Sequence, residues 1–437
     1  MRVDGREQGE LRNIRIQADY VRTAAGSCLI ETGGTRVICT ASVEESLPAW
    51  RKASGKGWVT AEYAMLPAST GQRKKRDGVQ KDGRGVEIQR LIGRSIRQAV
   101  DMTLLGPRTI TLDCDVLEAD GGTRTASITG AMVALACAVS RLMREGKLAH
   151  SPIIHQVAAV SVGIVEDTPC LDLCYREDSR AQVDMNVVMN EAGEYIELQG
   201  TGEGRAFTPD ELNSLTGLAA AGIRELMAAQ REALGDRAAV LEGKPALVAA
   251  TGNAHKLREL GEIFGDWYTV IPMQAVGFDQ DIDETAETFA GNAAIKAETV
   301  CAATGLPTIA DDSGLMVDAL NGEPGVYSAR YCGHHGDDEA NNDKLLEKME
   351  KVTDRSAAFH SVIALARPGK ETLIAEGICP GVMLRERRGT GGFGYDPLFL
   401  YEPLGKTFAE LTEEEKNAVS HRARACAKMR ELLEALA

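Results

Sequence analysis

The sequence predicts two domains of different class, a duplicated α+β domain built from strand–strand–helix units and an α/β domain that follows it. Three observations predict this. The 437 residues exceed one ordinary hydrophobic core. Up to about residue 235, two runs of strand-like segments each end in an Ala-rich helical segment. After residue 245, strand and helix patterns alternate to the end, as in α/β domains.

The first strand–strand–helix unit combines short segments rich in alternating and β-branched residues with two helical segments. A polar, Gly-rich stretch over Thr70–Gly85 is predicted as a mobile loop. The predicted elements are strands at Ile14–Ile16, Ser27–Thr32, Thr35–Ser42 and Thr109–Leu117, a helix with the apolar stripe Ile88, Leu91, Ile92 and Ile96, and a helix over 124–145.

The second unit repeats the pattern with strands at Val157–Val165 and Val183–Met189 and a helix over Asp210–Leu234. We place the first domain at 1–238 and a short polar linker at 239–245. The second domain, 246–437, opens with a buried strand at Ala246–Ala250. Asn253 is a suitable N-cap for the helix after it, whose apolar stripe is Leu257, Leu260, Ile263 and Phe264.

Composition sets the compartment we expect. We find no apolar run of membrane-spanning length and no signal peptide after Met1, so we expect a cytoplasmic chain with no membrane partner. The ten cysteines are then expected as free thiols. Cys170 and Cys174 lack a second pair of ligands, which argues against structural zinc.

The net charge of −15 is unevenly distributed. Residues 1–240 carry 29 basic and 32 acidic residues, whereas the rest carries 20 and 32. The basic residues of the first half cluster, which suits a polyanion. Composition alone favours the alternative of a solvated loop and helix face. The clustered residues are Arg51, Lys52, Arg73, Lys74, Lys75, Arg76, Arg84, Arg90, Arg94 and Arg97.

A phosphate-binding turn is the first candidate site. In Asp120-Gly-Gly-Thr-Arg124, the glycines let the backbone approach a ligand, and the start of the next helix offers unpaired N–H groups to an anion. Thr123 and Arg124 add a hydroxyl and a guanidinium suited to phosphate oxygens. A tight turn that needs glycine only for positive φ is the alternative, and these five residues alone do not decide between the two.

Two carboxylates accompany this turn further along the chain. Asp178 and Asp184 flank Ser179–Val183, and two carboxylates near a phosphate site are suited to Mg²⁺. Two surface aspartates are the alternative, which spacing does not exclude.

Met1–Gly235 resembles RNase PH, the phosphate-dependent exoribonuclease family that trims tRNA 3′ ends. The matching stretches are Gly57–Tyr63, Glu87–Arg94, Ala119–Gly130, Glu177–Ser179 and Val183–Met189. The resemblance implies a duplicated α+β fold in a hexameric ring, built as a trimer of dimers. It also implies phosphate attack on the terminal phosphodiester, which releases a nucleoside diphosphate.

The resemblance implies roles for individual residues. Asp178 and Asp184 are implied to carry catalysis and to hold Mg²⁺. Basic loop residues at Arg73 and Arg76 are implied to contact RNA. Inorganic phosphate is implied to bind Arg84, Gly122, Thr123 and Arg124.

The second candidate site begins at Thr251-Gly-Asn-Ala-His-Lys256, a strand-to-helix turn whose N–H groups, hydroxyl and ammonium suit a polyphosphate. It lacks Walker A spacing, which disfavours an ordinary ATPase. An N-capped helix with an exposed lysine is the alternative.

Three later segments complete this second set. Asp311-Asp-Ser-Gly314 follows the apolar run Leu306–Ala310, so its carboxylates are expected at a strand end, where they suit Mg²⁺ or a water molecule. Gly391–Asp396 places an aromatic ring where a base can bind, and Ser420–Arg422 offers donors and acceptors to a base edge. A solvated turn, a Gly-rich loop and a polar helix end are the respective alternatives.

From Ala246 to its end, the chain resembles the inosine/xanthosine triphosphate pyrophosphatase family, and this implies a mixed-sheet α/β fold. Asp312 is implied as catalytic acceptor and magnesium ligand, with Glu284 as a further metal ligand. The triphosphate is implied to bind Thr251, Gly252, Asn253, Ala254, His255, Lys256 and Lys296. The nucleotide pocket is implied to comprise Ser313, Phe393, Gly394, Tyr395, Asp396, Lys416, His421 and Arg422.

Together the two resemblances predict a bifunctional enzyme that uses Mg²⁺. One half trims tRNA 3′ ends with inorganic phosphate, and the other cleaves ITP, dITP or XTP to a monophosphate and pyrophosphate. The alternative is that only the pyrophosphatase is active and the first half is an RNA-binding oligomerisation scaffold. A homo-oligomer is expected in both cases.

Overall fold

The computed structural model of the protein describes residues 2–75, 83–334 and 336–435, without the side chains of His255 and Asn417. The chain forms two compact units, Met1–Pro245 and Ala246–Ala437.

The first unit contains two sheets. A five-stranded sheet has the order β1-β2-β3-β5-β4, in which only β4 and β5 run parallel. A four-stranded antiparallel sheet has the order β7-β6-β8-β9. The strands are β1 (Ile14–Ala18), β2 (Gly26–Thr32), β3 (Thr35–Glu44), β4 (Trp58–Met65), β5 (Thr109–Glu118), β6 (Val157–Val165), β7 (Thr168–Leu171), β8 (Val183–Asn190) and β9 (Tyr195–Thr201).

The helices of this unit are α1 (Gly83–Gln98), α2 (Met102–Leu105), α3 (Thr123–Arg144), α4 (Tyr175–Asp178) and α5 (Pro209–Leu234). The predicted stripe of α1 is buried as expected. Helix α3 packs on β2 and β3 of one sheet and on β6 of the other. Helix α5 covers the second sheet with Leu215, Ile223 and Leu226. Each predicted strand and helix of the first half is present, which confirms the duplicated α+β class.

Helix α3 corrects one expectation from composition. It is long and apolar enough to cross a membrane, so the chain does contain an apolar segment of that length. However, 89% of its most apolar stretch is buried inside the protein. Its apolar character is explained by contact with two sheets at once.

The segment expected as a linker is part of the first unit. Residues Gly235–Glu242 form a 3-10 helix, and Val240 and Leu241 are buried in the core around α3. A Cβ on Gly243 would lie 2.1 Å from the Ile153 carbonyl oxygen, so the chain passes closely over its own domain there.

The second unit is built on one mixed sheet with the order β11-β10-β12-β13-β14-β15-β16. Strand β10 pairs in parallel with β11 and β12, and the remaining pairs are antiparallel. The strands are β10 (Ala246–Ala249), β11 (Thr269–Pro272), β12 (Thr308–Val317), β13 (Ser356–Ala366), β14 (Leu373–Met383), β15 (Phe399–Tyr401) and β16 (Lys406–Thr407). The helices are α6 (Ala254–Phe264), α7 (Phe289–Thr304), α8 (Asp338–Lys348), α9 (Glu413–Val419) and α10 (His421–Glu434).

Helices cover both faces of this sheet. Helix α7 packs on one face through Ala293, Ala297 and Val300. Helices α6 and α10 pack on the other through residues such as Leu260 and Met429. This arrangement confirms the predicted mixed-sheet α/β class.

One boundary in this unit differs from the prediction. Strand β12 does not end before Asp311 but continues to Val317, and it pairs with β13 along its whole length. The two aspartates therefore lie within a strand and point to opposite faces of the sheet. Backbone pairing with β13 outweighs the low strand propensity of Asp, Ser and Gly.

Candidate functional sites

The loop between β5 and α3 forms the centre of the first site. Gly121 and Gly122 adopt φ of 77° and 64°, a region that favours glycine. A Cβ on Gly121 would lie 2.6 Å from the Leu173 carbonyl oxygen, so side chains are excluded there by contact with the segment before α4. The two glycines thus place no side chain over the start of α3, where backbone N–H groups favour an anion.

Two polar side chains at the start of α3 are held in place by other elements. The Thr123 hydroxyl lies 2.9 Å from the Tyr63 hydroxyl on β4. Arg124 donates to Gln199 on β9 at 3.0 Å, and it lies 3.9 Å from a Glu87 carboxylate oxygen on α1. The predicted phosphate ligands thus sit where α1, β4 and β9 meet.

The two predicted catalytic carboxylates, Asp178 at the end of α4 and Asp184 at the start of β8, come together beside this loop. Burial and the nearby Asp178 raise the pKa of Asp184 to about 6, which Arg124 partly offsets. Burial also raises the pKa of Asp178, against the influence of Arg84 and Arg124. Arg84 and Arg124 therefore both lie close enough to affect the pKa of Asp178, and Arg124 also affects that of Asp184.

A buried ion pair supports the phosphate loop from behind. Arg12 and Asp172 are each 5% exposed, and Arg12 Nη2 lies 2.6 Å from Asp172 Oδ1. Arg12 Nη1 also donates to the Asp120 carbonyl at 2.5 Å. The pair thus ties the N-terminal segment to the loop.

A second buried pair supports α4. Arg2 donates twice to Glu177, at 2.8 and 2.7 Å, and both side chains are almost fully buried. Glu177 precedes Asp178, so this pair fixes the helix turn that presents the predicted catalytic carboxylate. Sequence reasoning gave no function to Arg2, Arg12 or Asp172, because their partners lie 160 to 175 residues apart in the chain.

The predicted RNA contacts are only partly described. Arg73 is exposed in the loop after β4. Arg76 lies outside the described residues. Arg84 lies in the first turn of α1. Burial raises the pKa of both Tyr63 and Asp178, and Arg84 lies close enough to offset part of each rise.

The donor set of the first site suits magnesium bound together with substrate. Mg²⁺ commonly uses one or two carboxylates and completes its shell with water and substrate phosphate oxygens. Asp178 and Asp184 provide such a pair beside the phosphate loop. Within the described residues, no group of three or more His, Cys, Asp or Glu side chains is arranged to hold a metal alone.

The second site is a cavity of about 650 Å³ in the second unit. Every predicted pocket residue from Thr251 to Asn253 and from Phe393 to Asp396 lines it, as do Lys256 and Lys296. Ser313, His421 and Arg422 also line it. The Ala254 backbone opens α6 beside it, and the His255 side chain lies outside the described residues.

The turn before α6 is organised by its own side chains. Thr251 Oγ1 accepts from the Asn253 N–H at 3.1 Å, and Asn253 Oδ1 accepts from the Lys256 N–H at 3.3 Å. The second bond confirms the predicted N-cap. This leaves Lys256 pointing towards the cavity.

Asp311 lies on the α6 and α10 side of the sheet and is 2% exposed. Lys256 Nζ lies 3.0 Å from its Oδ1, and Arg422 Nε donates to its Oδ2 at 3.2 Å. Burial alone would raise the pKa of Asp311, but the two cations outweigh burial and hold this pKa well below its usual range. Arg422 also pairs with Glu259 at 2.6 Å.

Asp312 lies on the α7 side. Lys296 Nζ lies 3.3 Å from Asp312 Oδ1 and 3.0 Å from Glu284 Oε1, so one ammonium bridges the two proposed metal ligands. Burial raises the pKa of Asp312, which Lys296 partly offsets. Asp312 Oδ2 is buried without a hydrogen bond among the described residues. An orphaned carboxylate oxygen beside Glu284 fits a divalent cation.

The Gly391–Asp396 loop forms the other wall. Lys416 lies 2.5 Å from Asp396 and 4.6 Å from the centre of the Phe393 ring, which is 55% exposed. Helix α8 holds the loop at Gly394, whose N–H donates to Asp338 at 2.7 Å and whose carbonyl accepts from Asn342 at 2.9 Å. Sequence reasoning missed both α8 residues.

His421 forms the floor of the pocket. It is buried and stacks on Phe359 with ring centres 4.9 Å apart. Burial, with the neighbouring Arg422 and Lys416, lowers the pKa of His421 well below its usual value. It is therefore a neutral imidazole at physiological pH, able to accept as well as donate a hydrogen bond.

Comparison with known proteins agrees with this division. Models of the 3′ exoribonuclease family match residues 10–140 for its domain 1 and 155–222 for its domain 2. The Ham1 family model matches residues 247–432. Ribonuclease PH of Corynebacterium efficiens is 55% identical over 236 residues, which cover 54% of this chain and 96% of that protein.

Solved structures resemble the second half. The Ham1 protein of Staphylococcus aureus is 43% identical, and the match covers 44% of this chain and all of that one with a TM-score of 0.43. A nucleoside-triphosphatase, or dITP/XTP pyrophosphatase, from Mycobacterium abscessus is 44% identical, over 42% of this chain and 98% of that one, with a TM-score of 0.39.

Proposed function

Because the chain belongs to the ribonuclease PH family in its first half and carries a Ham1-family domain in its second, we propose that it is a bifunctional enzyme. The first half removes nucleotides from tRNA 3′ ends by phosphorolysis. The second hydrolyses deaminated purine triphosphates, namely ITP, dITP and XTP. The observation that carries this proposal is that each unit gathers its own anion-binding turn and its own pair of carboxylates.

In the first unit, the Gly122 turn, Thr123, Arg124 and Arg84 hold inorganic phosphate. One phosphate oxygen attacks the phosphorus of the terminal phosphodiester, and the bond to the preceding 3′ oxygen breaks. The products are a nucleoside diphosphate and an RNA shortened by one nucleotide. Asp178 and Asp184 would hold Mg²⁺, which neutralises charge developing on the phosphoryl oxygens.

Phosphate dependence tests this activity. The purified chain is incubated with a 3′-extended tRNA with and without inorganic phosphate, and the released nucleotides are identified. We expect diphosphates only when phosphate is present. Monophosphates, or no release in either case, would exclude phosphorolysis and favour the scaffold alternative.

In the second unit, a water oxygen bonds to the α-phosphorus and the bond to the β-phosphate bridging oxygen breaks, giving a monophosphate and pyrophosphate. Asp312 accepts the proton of the attacking water, a task suited to its raised pKa. Lys256, Lys296 and the N–H groups of the Thr251 turn stabilise charge on the leaving group. Asp312 and Glu284 would hold Mg²⁺, which polarises the phosphate oxygens.

Base selection is assigned to the pocket lined by Phe393, Asp396, His421 and Arg422, with Lys416 paired to Asp396 beside it. A pocket that hydrogen-bonds the 6-oxo group of hypoxanthine or xanthine rejects the 6-amino group of adenine, because a mismatched polar group stays unpaired. The test compares kcat/KM for ITP, XTP, GTP and ATP. Equal values for ITP and ATP would contradict the assignment.

Assembly is part of the proposal. A trimer of dimers has two-fold axes that also accommodate a dimer of the second unit. Light scattering should give about six times the 46.8 kDa chain mass. A monomer in solution would contradict the ring.

A further inference from the structure

A cluster of aromatic and basic side chains in the first unit is used by neither site. Trp50 and Arg51 lie between β3 and β4, Trp58 begins β4, and Arg97 lies in the last turn of α1. We call these four residues the tryptophan–arginine surface. The Trp50 and Trp58 rings meet edge to face, with centres 4.9 Å apart, and Trp50 is 66% exposed.

The two arginines are fixed against the rings. Their guanidinium carbons lie 5.2 Å (Arg51) and 4.6 Å (Arg97) from the Trp58 ring centre. Arg51 Nε donates to the Gly57 carbonyl at 3.3 Å, and Arg97 Nη1 donates to the Val59 carbonyl at 3.0 Å. Neutral carbonyls therefore set their positions but leave their charge uncompensated.

The positive charge of this surface has no counter-charge among the residues that the structure describes. Over the described parts of the chain, neither Arg51 nor Arg97 has a carboxylate at ion-pair distance. Burial, together with repulsion from Arg94 and Arg51, lowers the pKa of Arg97. Arg94, on the same face of α1 as Arg97, is paired with Glu197 at 2.7 Å. Exposed Arg90 lies on this face as well and adds to the positive potential.

Simple packing does not explain the arrangement. A tryptophan that served only to cover Trp58 would lose most of its exposure, whereas Trp50 keeps two thirds of its surface in water. An apolar protein partner would have to bury two guanidinium groups without counter-charges, which is costly. A nucleic-acid strand carries both bases, which stack on an aromatic ring, and phosphates, which pair with guanidinium groups. It therefore suits the exposed Trp50 ring and the two arginines together.

The surface is distinct from the phosphate site. Trp58 and Tyr63 lie five residues apart on β4, roughly 17 Å at the rise of a strand. Arg84 and Arg97 are separated by thirteen residues of α1, roughly 20 Å. One phosphodiester cannot contact both places, so a ligand on the surface is a part of the RNA away from the reacting 3′ end.

We propose that the tryptophan–arginine surface binds the body of the substrate RNA upstream of its 3′ end, with a base stacked on Trp50 and phosphates beside Arg51 and Arg97. This rests on the proposed phosphorolytic function of the first unit. It predicts that the surface contributes to the affinity for a long RNA but not to the chemistry at its end.

The test compares a 3′-extended tRNA with an oligonucleotide too short to reach the surface. Binding of labelled tRNA is measured by fluorescence anisotropy, and phosphorolysis of both RNAs is measured on the full chain. The variants are Trp50→Ala, Trp50→Phe and a double Arg51→Gln/Arg97→Gln. Matched controls are Arg22→Gln, an exposed arginine elsewhere in this unit, and Trp267→Phe, which lies under Arg430 in the other unit.

We expect Trp50→Ala to weaken tRNA binding about tenfold and Trp50→Phe to restore most of it, because stacking needs only an aromatic face. The double arginine variant should reduce the salt dependence of tRNA binding by about two phosphate contacts. The KM for tRNA should rise while kcat for tRNA stays unchanged. Both constants should stay unchanged for the short oligonucleotide. Both controls should bind tRNA like the parent chain.

Three outcomes overturn the proposal. They are unchanged tRNA binding by Trp50→Ala, an equal loss with the short oligonucleotide, and a changed molecular mass, which would make the surface a subunit contact. If the parent chain binds tRNA but releases no diphosphate, the proposed activity fails. The comparison of tRNA binding between variants still shows whether the tryptophan–arginine surface binds RNA.

Discussion

At the scale of single residues, two aspartates show how the surroundings of a carboxylate set its pKa. Burial, together with the neighbouring Asp178, raises the pKa of Asp184 to about 6. Burial would also raise the pKa of Asp311, but Lys256 and Arg422 outweigh it and lower that pKa. Ionisation of the Asp184 carboxylate therefore opposes folding, and a bound cation would relieve this cost. The Asp311 carboxylate instead positions Lys256 and Arg422 through its ion pairs.

Asp184→Asn is expected to stabilise the first unit by about 1–2 kcal/mol without metal, because the ionised carboxylate opposes folding. The folded pKa lies above the unfolded value near 3.8, so the advantage is full above pH 6 and vanishes by about pH 4. Calorimetry in chelator at pH 8 and pH 4 measures it. An advantage that grows as the pH falls would contradict the assignment.

Asp311→Asn is expected to destabilise the second unit by about 3 kcal/mol, because it removes the carboxylate that pairs with Lys256 and leaves Arg422 with Glu259 alone. Since the folded pKa is lowered, this contribution is present above the unfolded pKa near 3.8 and is lost on further acidification. Urea unfolding at pH 7 measures it. The control Asp266→Asn removes a carboxylate with a 76% exposed side chain, 4.0 Å from Arg430, and should cost no more than about 0.5 kcal/mol.

The site residues that the sequence predicted lie in short motifs, where residues adjacent in the chain together indicate an anion-binding turn. Gly122 to Arg124 and Thr251 to Lys256 are turns with their own local chemistry. Arg12 and Arg2 could not be predicted, because nothing local to either indicates a carboxylate at Asp172 or Glu177. Only the folded chain brings such distant charges together.

At the scale of elements, close approach between helix and sheet limits the size of side chains. Helix α3 touches β2 and β3 at Gly130, where an added Cβ would lie 2.7 Å from the Cys39 sulfur and 2.9 Å from an Ile30 methyl group. The Ala-rich composition of this segment predicted the helix, but it did not predict a second packed face towards β6. Likewise, the strand through Asp311 and Asp312 was predicted too short, since its partner β13 lies about fifty residues later.

Gly130→Ala tests this contact against helix propensity. Alanine should gain about 1 kcal/mol of propensity, but the clash with Cys39 and Ile30 outweighs it, so we expect a net loss of about 1–2 kcal/mol. The control is Gly217→Ala on α5, where an added Cβ meets nothing within 4 Å and a gain of about 0.5–1 kcal/mol is expected. Thermal unfolding of both variants gives the comparison, and two changes of the same sign would refute it.

At the scale of the whole molecule, each of the two units holds a set of residues that we propose for phosphorus chemistry. The first unit carries the smaller share of the net negative charge, and it is also the unit in which Arg51 and Arg97 lack a carboxylate at ion-pair distance among the described residues. Sequence resemblance predicted both folds and the order of the units. It did not predict that residues 239–245 pack on the first unit, because a short polar segment shows nothing of the surface beneath it.

Independent sites predict separable losses. Asp184→Asn should abolish diphosphate release from tRNA and leave ITP hydrolysis within about twofold of the parent chain, because Asp184 touches only the first site. Asp312→Asn should do the reverse. Parallel assays on each purified variant check this, and loss of both activities in either variant would show that the sites depend on each other.

Helix α3 has a consequence for how the chain is made. Seventeen of its 22 residues are buried, and they are covered from two sides by sheets that emerge from the ribosome at different times. The first sheet precedes the helix, but β6 to β9 end only at Thr201, so one apolar face stays uncovered for roughly 3–12 s of synthesis. During that interval the uncovered apolar face of α3 makes the nascent first unit prone to aggregation.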